Sequence, residues 1–259
     1  MYLKGKGFCF IKKFNKLDTN TNLYENNVAI LKDYGLKKKL VLCNTLRKKG
    51  FEQEIEKMER GTANDEKLDQ SISRTKSRIF ELAYCNPWDL FVTLTLNPKK
   101  YDRGDLSNFK ANLSQWIRNY NKKHKTSVKY ILIPEMHKDS SWHMHGFIMG
   151  LPKEHLTKNE HGYLDWNAYK QKFGWISIDT VKNQEAAAKY VTKYITKDLA
   201  KSVTDLNANM YYCSKGLKRA EELKRGTLAV TSIPFDFSNE YCSVKWIDGD
   251  IDICGLIID

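Results

Sequence analysis

Apolar and polar residues alternate along several stretches of the chain, and this period of two residues predicts β-strands. The clearest stretch is residues 90–97, followed by Pro98, which ends the strand because proline has no amide hydrogen to donate. Its apolar side holds Val92, Leu94 and Leu96, and its other side holds Phe91, Thr93, Thr95 and Asn97. Further strands are predicted at residues 128–136, 142–149, 175–180 and, in the tail, 241–247.

Apolar residues at helical spacing predict helices between these strands. A helix that starts at Ser71 is expected to end at Asn86–Pro87, and Asp105 is a suitable N-cap for a helix over residues 106–120. Other helices are predicted at residues 36–60, around 165–173 and at 184–199, with a linker at 61–65. Because the two central strands are joined as a hairpin, the pattern indicates an α+β fold with an antiparallel sheet.

A chain of 259 residues suits one large domain with extensions. Residues 1–70 are rich in Lys, Asn and Glu and carry no catalytic cluster, so they are predicted to be an N-terminal extension. The main domain is predicted at residues 71–205. Residues 206–259 are predicted to be a C-terminal extension that packs on or flanks the core.

The charge of the chain indicates a polyanionic partner. Its 43 Lys and Arg against 31 Asp and Glu give a formal net charge of +12, which favours nucleic acid first and an anionic membrane second. No apolar run is long enough to cross a bilayer, and the first residues lack the apolar core of a signal peptide. We therefore expect a cytoplasmic nucleic-acid-binding protein with no membrane partner.

Several common kinds of site are missing from the sequence. Six cysteines are scattered without C-x-x-C spacing, which supports neither a zinc knuckle nor a disulfide framework and predicts reduced thiols. Neither Gly-x-x-x-x-Gly-Lys-Ser/Thr nor Gly-x-Gly-x-x-Gly occurs, so no nucleotide-driven motor is indicated. Unwinding of duplex DNA would therefore depend on another protein.

Basic residues on two predicted helices are candidates for contact with DNA. Arg74, Lys76 and Arg78 lie on the helix that starts at Ser71, and Lys189 lies on the helix 184–199. The alternative for each is a solvated helix face.

A pair of histidines predicts a metal site. His143 and His145 alternate along a strand and so point to the same side of the sheet. If the hairpin loop has an odd number of residues, Glu135 faces this pair across the ladder, and His137 on the same side is the rival ligand. Two imidazoles and a carboxylate leave coordination positions open, which suits Mn²⁺ or, less comfortably, Mg²⁺, although non-haem iron oxygenases use the same ligand set.

A tandem repeat of Tyr-x-x-Lys predicts a pair of nucleophiles. Tyr190 and Tyr194, four residues apart, would share one face of a helix about 6 Å apart along its axis, with Lys193 and Lys197 as a second pair. An ordinary phenol is only about one part in a thousand ionised at pH 7, and a nearby ammonium favours the phenolate. A packed aromatic stripe is the alternative reading of the tyrosine spacing.

The position of Tyr190 on this predicted helix suggests an order of use. Tyr190 would lie nearer the N-terminus, where the helix dipole favours a phenolate and an incoming phosphate. We therefore expect Tyr190 to attack first and Tyr194 to serve the second transfer.

Three motifs in this order resemble those of the HUH endonucleases: residues 91–98, the His-Met-His-Gly sequence and the doubled Tyr-x-x-Lys. The doubled motif resembles the two-tyrosine rolling-circle replication initiators of single-stranded DNA phages, prophages and plasmids. The resemblance covers roughly residues 86–200. It implies a five-stranded antiparallel sheet of HUH or RRM-like type with flanking helices.

The resemblance also implies a function and its participants. His143 and His145 would be ligands of a divalent metal, and Tyr190 and Tyr194 would be nucleophiles in a nicking domain. Nicking single-stranded origin DNA, expected as a hairpin, would leave a 5′-phosphotyrosine link and a free 3′-hydroxyl primer. The partners would be a host helicase and polymerase in a bacterial cytoplasm, with no small-molecule substrate.

Two other readings stay open at this point. A transposase or conjugative relaxase would use the same chemistry on a different DNA. A non-catalytic RRM-like module would bind nucleic acid through stacking aromatics, but it would leave the tyrosine–lysine repeat and the histidine pair without roles.

Overall fold

The computed structural model of the chain describes residues 24–25, 28–43, 47–48, 65–206, 208–229, 233–239, 242–249, 255 and 257–258. Contacts divide the chain into two compact units, one within Lys57–Arg219 and the other within Met1–Glu56 together with Ala220–Asp259. The functional division predicted at residues 70 and 205 stays a prediction.

The described residues contain five α-helices and two short 3₁₀ helices. The α-helices are α1 (Asp65–Tyr84), α2 (Leu106–His124), α3 (Asn167–Lys172), α4 (Gln184–Val191) and α5 (Lys197–Asp205). The 3₁₀ helices are Lys153–His155 and Thr192–Tyr194.

Fifteen strands are present in the same part of the chain. In order they are β1 (Tyr24–Glu25), β2 (Val28–Asp33), β3 (Lys37–Cys43), β4 (Arg47–Lys48), β5 (Leu90–Leu96), β6 (Lys129–Met136), β7 (Trp142–Met149), β8 (Thr157–Lys158), β9 (Leu164–Asp165), β10 (Gly174–Thr180), β11 (Tyr212–Cys213), β12 (Glu221–Leu228), β13 (Phe237–Ser238), β14 (Cys242–Asp248) and β15 (Ile257–Ile258).

The larger unit is built on a five-stranded antiparallel sheet with the order β10-β5-β7-β6-β11. Helices of the same unit flank it, and α1 packs against α4 and α5. The predicted α+β class with a central antiparallel sheet is confirmed.

The two faces of this sheet differ in chemistry. On β5 the residues Val92 and Leu94 are fully buried, whereas Thr93 and Thr95 on the opposite side are only partly covered. The period of two residues therefore sorts a core face from a polar face, as the sequence predicts. The polar face of β5 lies beside the histidines of β7, because Thr93 pairs with His145 in the register of the ladder.

Buried amide side chains anchor the start of α4 to the end of α1. The Nε2 of Gln184 donates to the backbone oxygen of Ala83 at 2.8 Å and also to that of Asn86. Asn183 caps α4 by accepting from the amide of Ala186. These bonds fix the orientation of α4 and, with it, the position of the tyrosine at its end.

The smaller unit contains a six-stranded antiparallel sheet with the order β13-β14-β3-β2-β12-β15. Its core includes Leu31, Leu40 and Ile257, so strands from both ends of the chain share one apolar cluster. The helix predicted at residues 36–60 is wrong over Lys37–Cys43, which forms β3. Apolar residues on a paired strand are buried by neighbours distant in sequence, and that burial overrides a local helical pattern.

Most other predicted elements agree with the structure to within a few residues. Helix α1 begins at Asp65, inside the segment predicted as a linker, and residues 61–64 lie outside the described part. Asp105 caps α2, since its side chain accepts from the amide of Asn108 at 2.9 Å. The tail strand predicted at 241–247 is found as β14.

Two further sequence expectations concern membranes and thiols. Among the described residues, no helix combines the length and the apolar character that crossing a membrane requires. The four described cysteines, Cys43, Cys85, Cys213 and Cys242, are free thiols, and Cys9 and Cys254 lie outside the described residues.

Gly146 holds β7 against β6, and we expect Gly146→Ala to destabilise the larger unit by about 3 kcal/mol. A Cβ at this position would overlap the carbonyl oxygen of Ile131, which is backbone and cannot turn away as a side chain can. Chemical denaturation measures the change. The control is Gly104→Ala, whose new Cβ would meet only the Asp102 side chain, at 3.3 Å. Equal stability of the two variants would contradict the close approach.

Candidate active site

The hairpin between β6 and β7 sets the register of the site. Its loop is residues 137–141, five residues long, and it is closed by a bond from the amide of His137 to the oxygen of Ser141 at 2.9 Å. With this odd loop, Glu135 pairs directly with His143, and Ile133 pairs with His145. Glu135 and both histidines therefore lie on one face, as the sequence predicts for an odd loop.

Three potential metal ligands converge on this face. Oε2 of Glu135 lies 2.7 Å from Nε2 of His145 and 3.6 Å from Nε2 of His137. The ligand atoms of these three residues are all within 4.8 Å of one another. Imidazole and carboxylate are ligands that Mn²⁺ and related divalent cations accept. The group is therefore able to hold a metal ion.

His145 shows the strongest sign of a ligand position. It is only 7% exposed, and its Nε2 is buried without a hydrogen bond of regular geometry. Burial lowers the pKa of His145, and the charge of Glu135 opposes that effect. Its Nδ1 lies 3.0 Å from Oγ1 of Thr93, which holds the ring so that Nε2 points at the carboxylate. A buried imidazole nitrogen without a regular partner fits a ligand of a cation.

His143 lies next to the converging group but has a different partner. Its ring stacks on that of His137, with centroids 3.7 Å apart. Its Nδ1 is 3.0 Å from Oγ1 of Thr95, and its Nε2 is 3.1 Å from Nη2 of Arg103. Burial, together with the neighbouring His137 and Arg103, lowers the pKa of His143 to about 4. The imidazole is thus neutral near pH 7, and its Nε2 accepts from the guanidinium.

Three residues of the site were not predicted as functional from the sequence. Thr93 and Thr95 were placed on the correct strand face, and their pairing with His145 and His143 follows from the β5–β7 register. Arg103 comes from the turn before α2 and also donates to Oγ of Ser141 at 2.7 Å. No spacing rule links this turn to the histidines, so the sequence carried no signal for Arg103.

The tyrosine segment is not one continuous helix. Helix α4 ends at Val191, a 3₁₀ turn covers Thr192–Tyr194, and α5 begins after Thr196, whose Oγ1 accepts from the amide of Leu199 at 3.1 Å. The single helix predicted at residues 184–199 is therefore wrong. Tyr190 lies in the last turn of α4, where the helix dipole is negative, so the dipole argument for its earlier use is also wrong.

The two tyrosines nevertheless meet beside the histidines. Their hydroxyl oxygens are 3.5 Å apart. The Tyr194 ring stacks on the His145 imidazole with centroids 4.3 Å apart, and Phe91 contacts both tyrosine rings. Tyr190 is the more accessible of the two, with 47% of the residue exposed. The tight turn thus brings both phenols to the edge of the converging ligands.

The two phenols have different acidities because of Lys193. Its Nζ lies 3.6 Å from the centroid of the Tyr190 ring and 4.8 Å from that of Tyr194. Hydrogen bonding from Lys193 and then from Tyr194 lowers the pKa of Tyr190. Burial and the Tyr190 hydroxyl raise the pKa of Tyr194. Tyr190 is therefore the phenol that ionises more readily.

The other predicted basic residues lie elsewhere. Lys197 on α5 forms an ion pair with Asp69 of α1 at 2.9 Å, so of the predicted lysine pair only Lys193 is brought over the tyrosine rings. Lys189 pairs with Glu185 one turn earlier on α4 at 2.7 Å. On α1, Arg74 and Lys76 are exposed and Arg78 is partly buried.

An antiparallel sheet that carries paired histidines, with a tyrosine pair beside them, places the chain in the class of rolling-circle replication initiators. Residues 89–199 match a family model described as Replication-associated protein ORF2, a family of such initiators. The matched segment runs from just before β5 into α5 and includes Glu135, both histidines of β7 and both tyrosines. The family resemblance predicted from the sequence is confirmed at this level. No curated protein and no solved structure gives a match.

Proposed function

We propose that the chain is a metal-dependent, site-specific endonuclease and strand transferase for single-stranded DNA, which nicks a replication origin and rejoins ends through a covalent 5′-phosphotyrosine. The observation that carries the proposal is the position of two phenols, 3.5 Å apart, with the Tyr194 ring stacked on His145. A purely structural aromatic pair needs neither a lysine over both rings nor a converging carboxylate and imidazole.

In the proposed first step, Oη of Tyr190 attacks the phosphorus of the scissile phosphodiester. A phosphorus–oxygen bond to tyrosine forms as the bond from phosphorus to the 3′-oxygen breaks. The leaving 3′-oxygen keeps the bonding electron pair and takes a proton from water, and the phenol releases its own proton to solvent. One ester replaces another, so the step needs no ATP, in keeping with the absence of a nucleotide-binding motif.

The second tyrosine supports strand transfer. While the 5′-phosphate of one end is held on Tyr190, the hydroxyl of Tyr194 is close enough to attack at the next origin. The 3′-hydroxyl released there attacks the first phosphotyrosine and returns the Tyr190 phenol. The exchange closes a circle and leaves the new end on Tyr194.

We propose that Glu135 and His145 are two ligands of the divalent cation, Mn²⁺ or Mg²⁺, and that the third comes from the stacked pair His137 and His143. The short distance from Glu135 to His145 and the buried Nε2 of His145 support the first two. Distance favours His137 as the third, and the family motif favours His143. When bound, such a cation polarises a phosphodiester oxygen and stabilises the charge that develops on it.

The rest of the chain supplies charge and partners. With a net charge of +12, contacts to phosphate would provide much of the affinity, so binding should weaken steeply as salt rises. Arg74, Lys76, Arg78 and Lys189 are proposed contacts to the single strand. A host helicase and polymerase would open the duplex at the origin hairpin and extend the 3′-hydroxyl, in the cytoplasm of a bacterial host.

Capture of a covalent adduct tests the proposed function. The full chain is incubated with Mn²⁺ and a library of single-stranded oligonucleotides, and the products are separated under denaturing conditions. We expect a protein–DNA adduct that disappears when a chelator replaces the metal. A non-catalytic binding module would shift the DNA in a native gel and form no adduct, which would overturn the proposal.

The lysine over both rings gives a prediction about pH. Lys193→Met should raise the pKa of Tyr190, and each unit of increase leaves about tenfold less phenolate at pH 7. Adduct formation should therefore slow by about tenfold near neutrality, and the difference from the wild type should vanish above the pKa of the phenol. Lys193→Arg should keep most of the rate. Initial rates of adduct formation from pH 6 to 11 measure this, and Lys197→Met is the control.

A further inference from the structure

One large aromatic side chain lies exposed on the same face of the sheet as the site. Trp175 on β10 is 54% exposed, although five other tryptophans are present in the chain and Trp88, Trp142 and Trp166 are buried. A single exposed apolar residue needs no explanation by itself. What distinguishes Trp175 is its place in the ladder.

The registers of three strand pairs put Trp175 in one row with the site. Trp175 pairs with Thr95, Thr95 pairs with His143, and His143 pairs with Glu135. Paired residues share a face of a sheet, so all four side chains start on the polar face. Two strand spacings separate Trp175 from His143, about 10 Å.

The same strand leads from Trp175 to the nucleophile. Asp179 follows four residues later on the same side, about 13 Å along the strand. The charge of Asp179 raises the pKa of Tyr190, which places this end of β10 near the phenol. A few nucleotides of a single strand are enough to cover the distance between the indole and the phenol.

Positive charge surrounds the Trp175 end of this path. Lys99 and Lys100 follow β5, Lys172 ends α3 just before β10, and all three are exposed. The two segments are tied together because Nζ of Lys100 donates to the oxygen of Gln171 at 3.0 Å, and the Tyr101 hydroxyl donates to the oxygen of Lys172 at 3.0 Å. An exposed indole next to lysines suits a nucleobase flanked by phosphates.

We infer that Trp175 is a base-stacking residue, on which a nucleobase of the single-stranded DNA rests a few nucleotides from the phosphate at Tyr190. The inference rests on the proposed function for the location of that phosphate. Stacking accepts any base, because every base has a π-face. Trp175 would thus position the strand without selecting its sequence.

A cycle of two proteins and two ligands tests the inference. Wild type and Trp175→Ala, both in a Tyr190→Phe/Tyr194→Phe background that prevents cleavage, bind either fluorescent oligothymidylate or an oligomer of abasic nucleotides of the same length. We expect Trp175→Ala to weaken binding of oligothymidylate by about tenfold and to leave binding of the abasic oligomer within about twofold. Trp175→Phe should keep most of the affinity for oligothymidylate.

Lys99→Ala is the matched control, because an ammonium can interact with phosphates but offers no surface for stacking. It should affect both oligomers by the same factor. If Trp175→Ala also loses the same factor on both, or loses none, Trp175 does not stack on a base and the inference is overturned. Loss of self-association by Trp175→Ala, with DNA binding unchanged, would instead assign the indole to a protein contact.

Irradiation of an oligonucleotide that contains 5-iodouracil gives a second readout. We expect a crosslink in the peptide that contains Trp175, and its absence alongside crosslinks elsewhere would contradict stacking. Both assays measure binding, not cleavage. A chain that couples Trp175 to bases but forms no adduct would therefore refute the proposed function and keep this inference, and the reverse pattern would refute the inference alone.

Discussion

Replacing Tyr190 by Phe is expected to reduce formation of the first DNA adduct by roughly three orders of magnitude or more, as removal of a nucleophile does in other enzymes. The substitution deletes one oxygen and leaves the ring that packs on Phe91 and lies beneath Lys193. The reason for the asymmetry is acidity and access: Tyr190 is exposed and its pKa is lowered, whereas burial raises the pKa of Tyr194.

Tyr194→Phe should give a different result. It should still nick, but it should release circles poorly, because no second phenol is available for the next transfer. The double variant should form no adduct, and Tyr163→Phe, which alters an exposed phenol elsewhere in the same unit, should behave like the wild type.

Peptide mapping of the linked residue, on an origin oligonucleotide, separates the outcomes. A link found only at Tyr194 would keep the chemistry and reverse the order. A link at Tyr211 or Tyr212, where burial raises both phenol pKa values, would remove the proposed mechanism.

Strand periodicity predicted the part of the site that lies on the sheet. The alternation of residues along β5 and β7 and the odd loop between β6 and β7 are local properties, and together they place Glu135, Thr93, Thr95 and the histidines on one face. The stacking of His137 on His143 was not predictable, because it depends on the conformation of the five-residue loop rather than on parity.

The tyrosine turn shows why helical spacing misled the prediction. Tyr-x-x-Lys repeated in tandem fits a helix, but Ile195 is fully buried, and the chain leaves the helix there before α5 begins. A local signal for a new helix was present, since Thr196 is a favoured N-cap residue. The consequence is functional: Lys197 is carried to Asp69 of α1, while Lys193 stays over both rings.

The second sheet was beyond local reasoning for another reason. Strands β2 and β3 pair with β12 and β14, which lie some two hundred residues later in the chain. Such pairing depends on burial shared between distant segments. Sequence patterns therefore identified β14 as a strand but gave no indication of its partner.

Loss of the metal ligands is the second large effect that we expect. Glu135→Ala and His145→Ala should each weaken Mn²⁺ binding by at least about tenfold, since removing one of three protein ligands leaves a buried neighbour without its counterpart. Titration calorimetry with Mn²⁺ measures this directly, without reference to cleavage. The control is His161→Ala, because His161 lies 3.4 Å from Glu160 in a fully exposed histidine–carboxylate pair.

The same measurement on His137→Ala and His143→Ala identifies the third ligand. Convergence of the ligand atoms favours a loss in His137→Ala, whereas a loss confined to His143→Ala would mean that its Nε2 exchanges Arg103 for the cation. In either case, His143→Ala combined with His145→Ala should abolish nicking and leave most DNA binding, because affinity arises mainly from contacts with phosphate. Undiminished cleavage by that double variant in metal-free buffer would refute the metal site, since no other cluster of three such ligands occurs among the described residues.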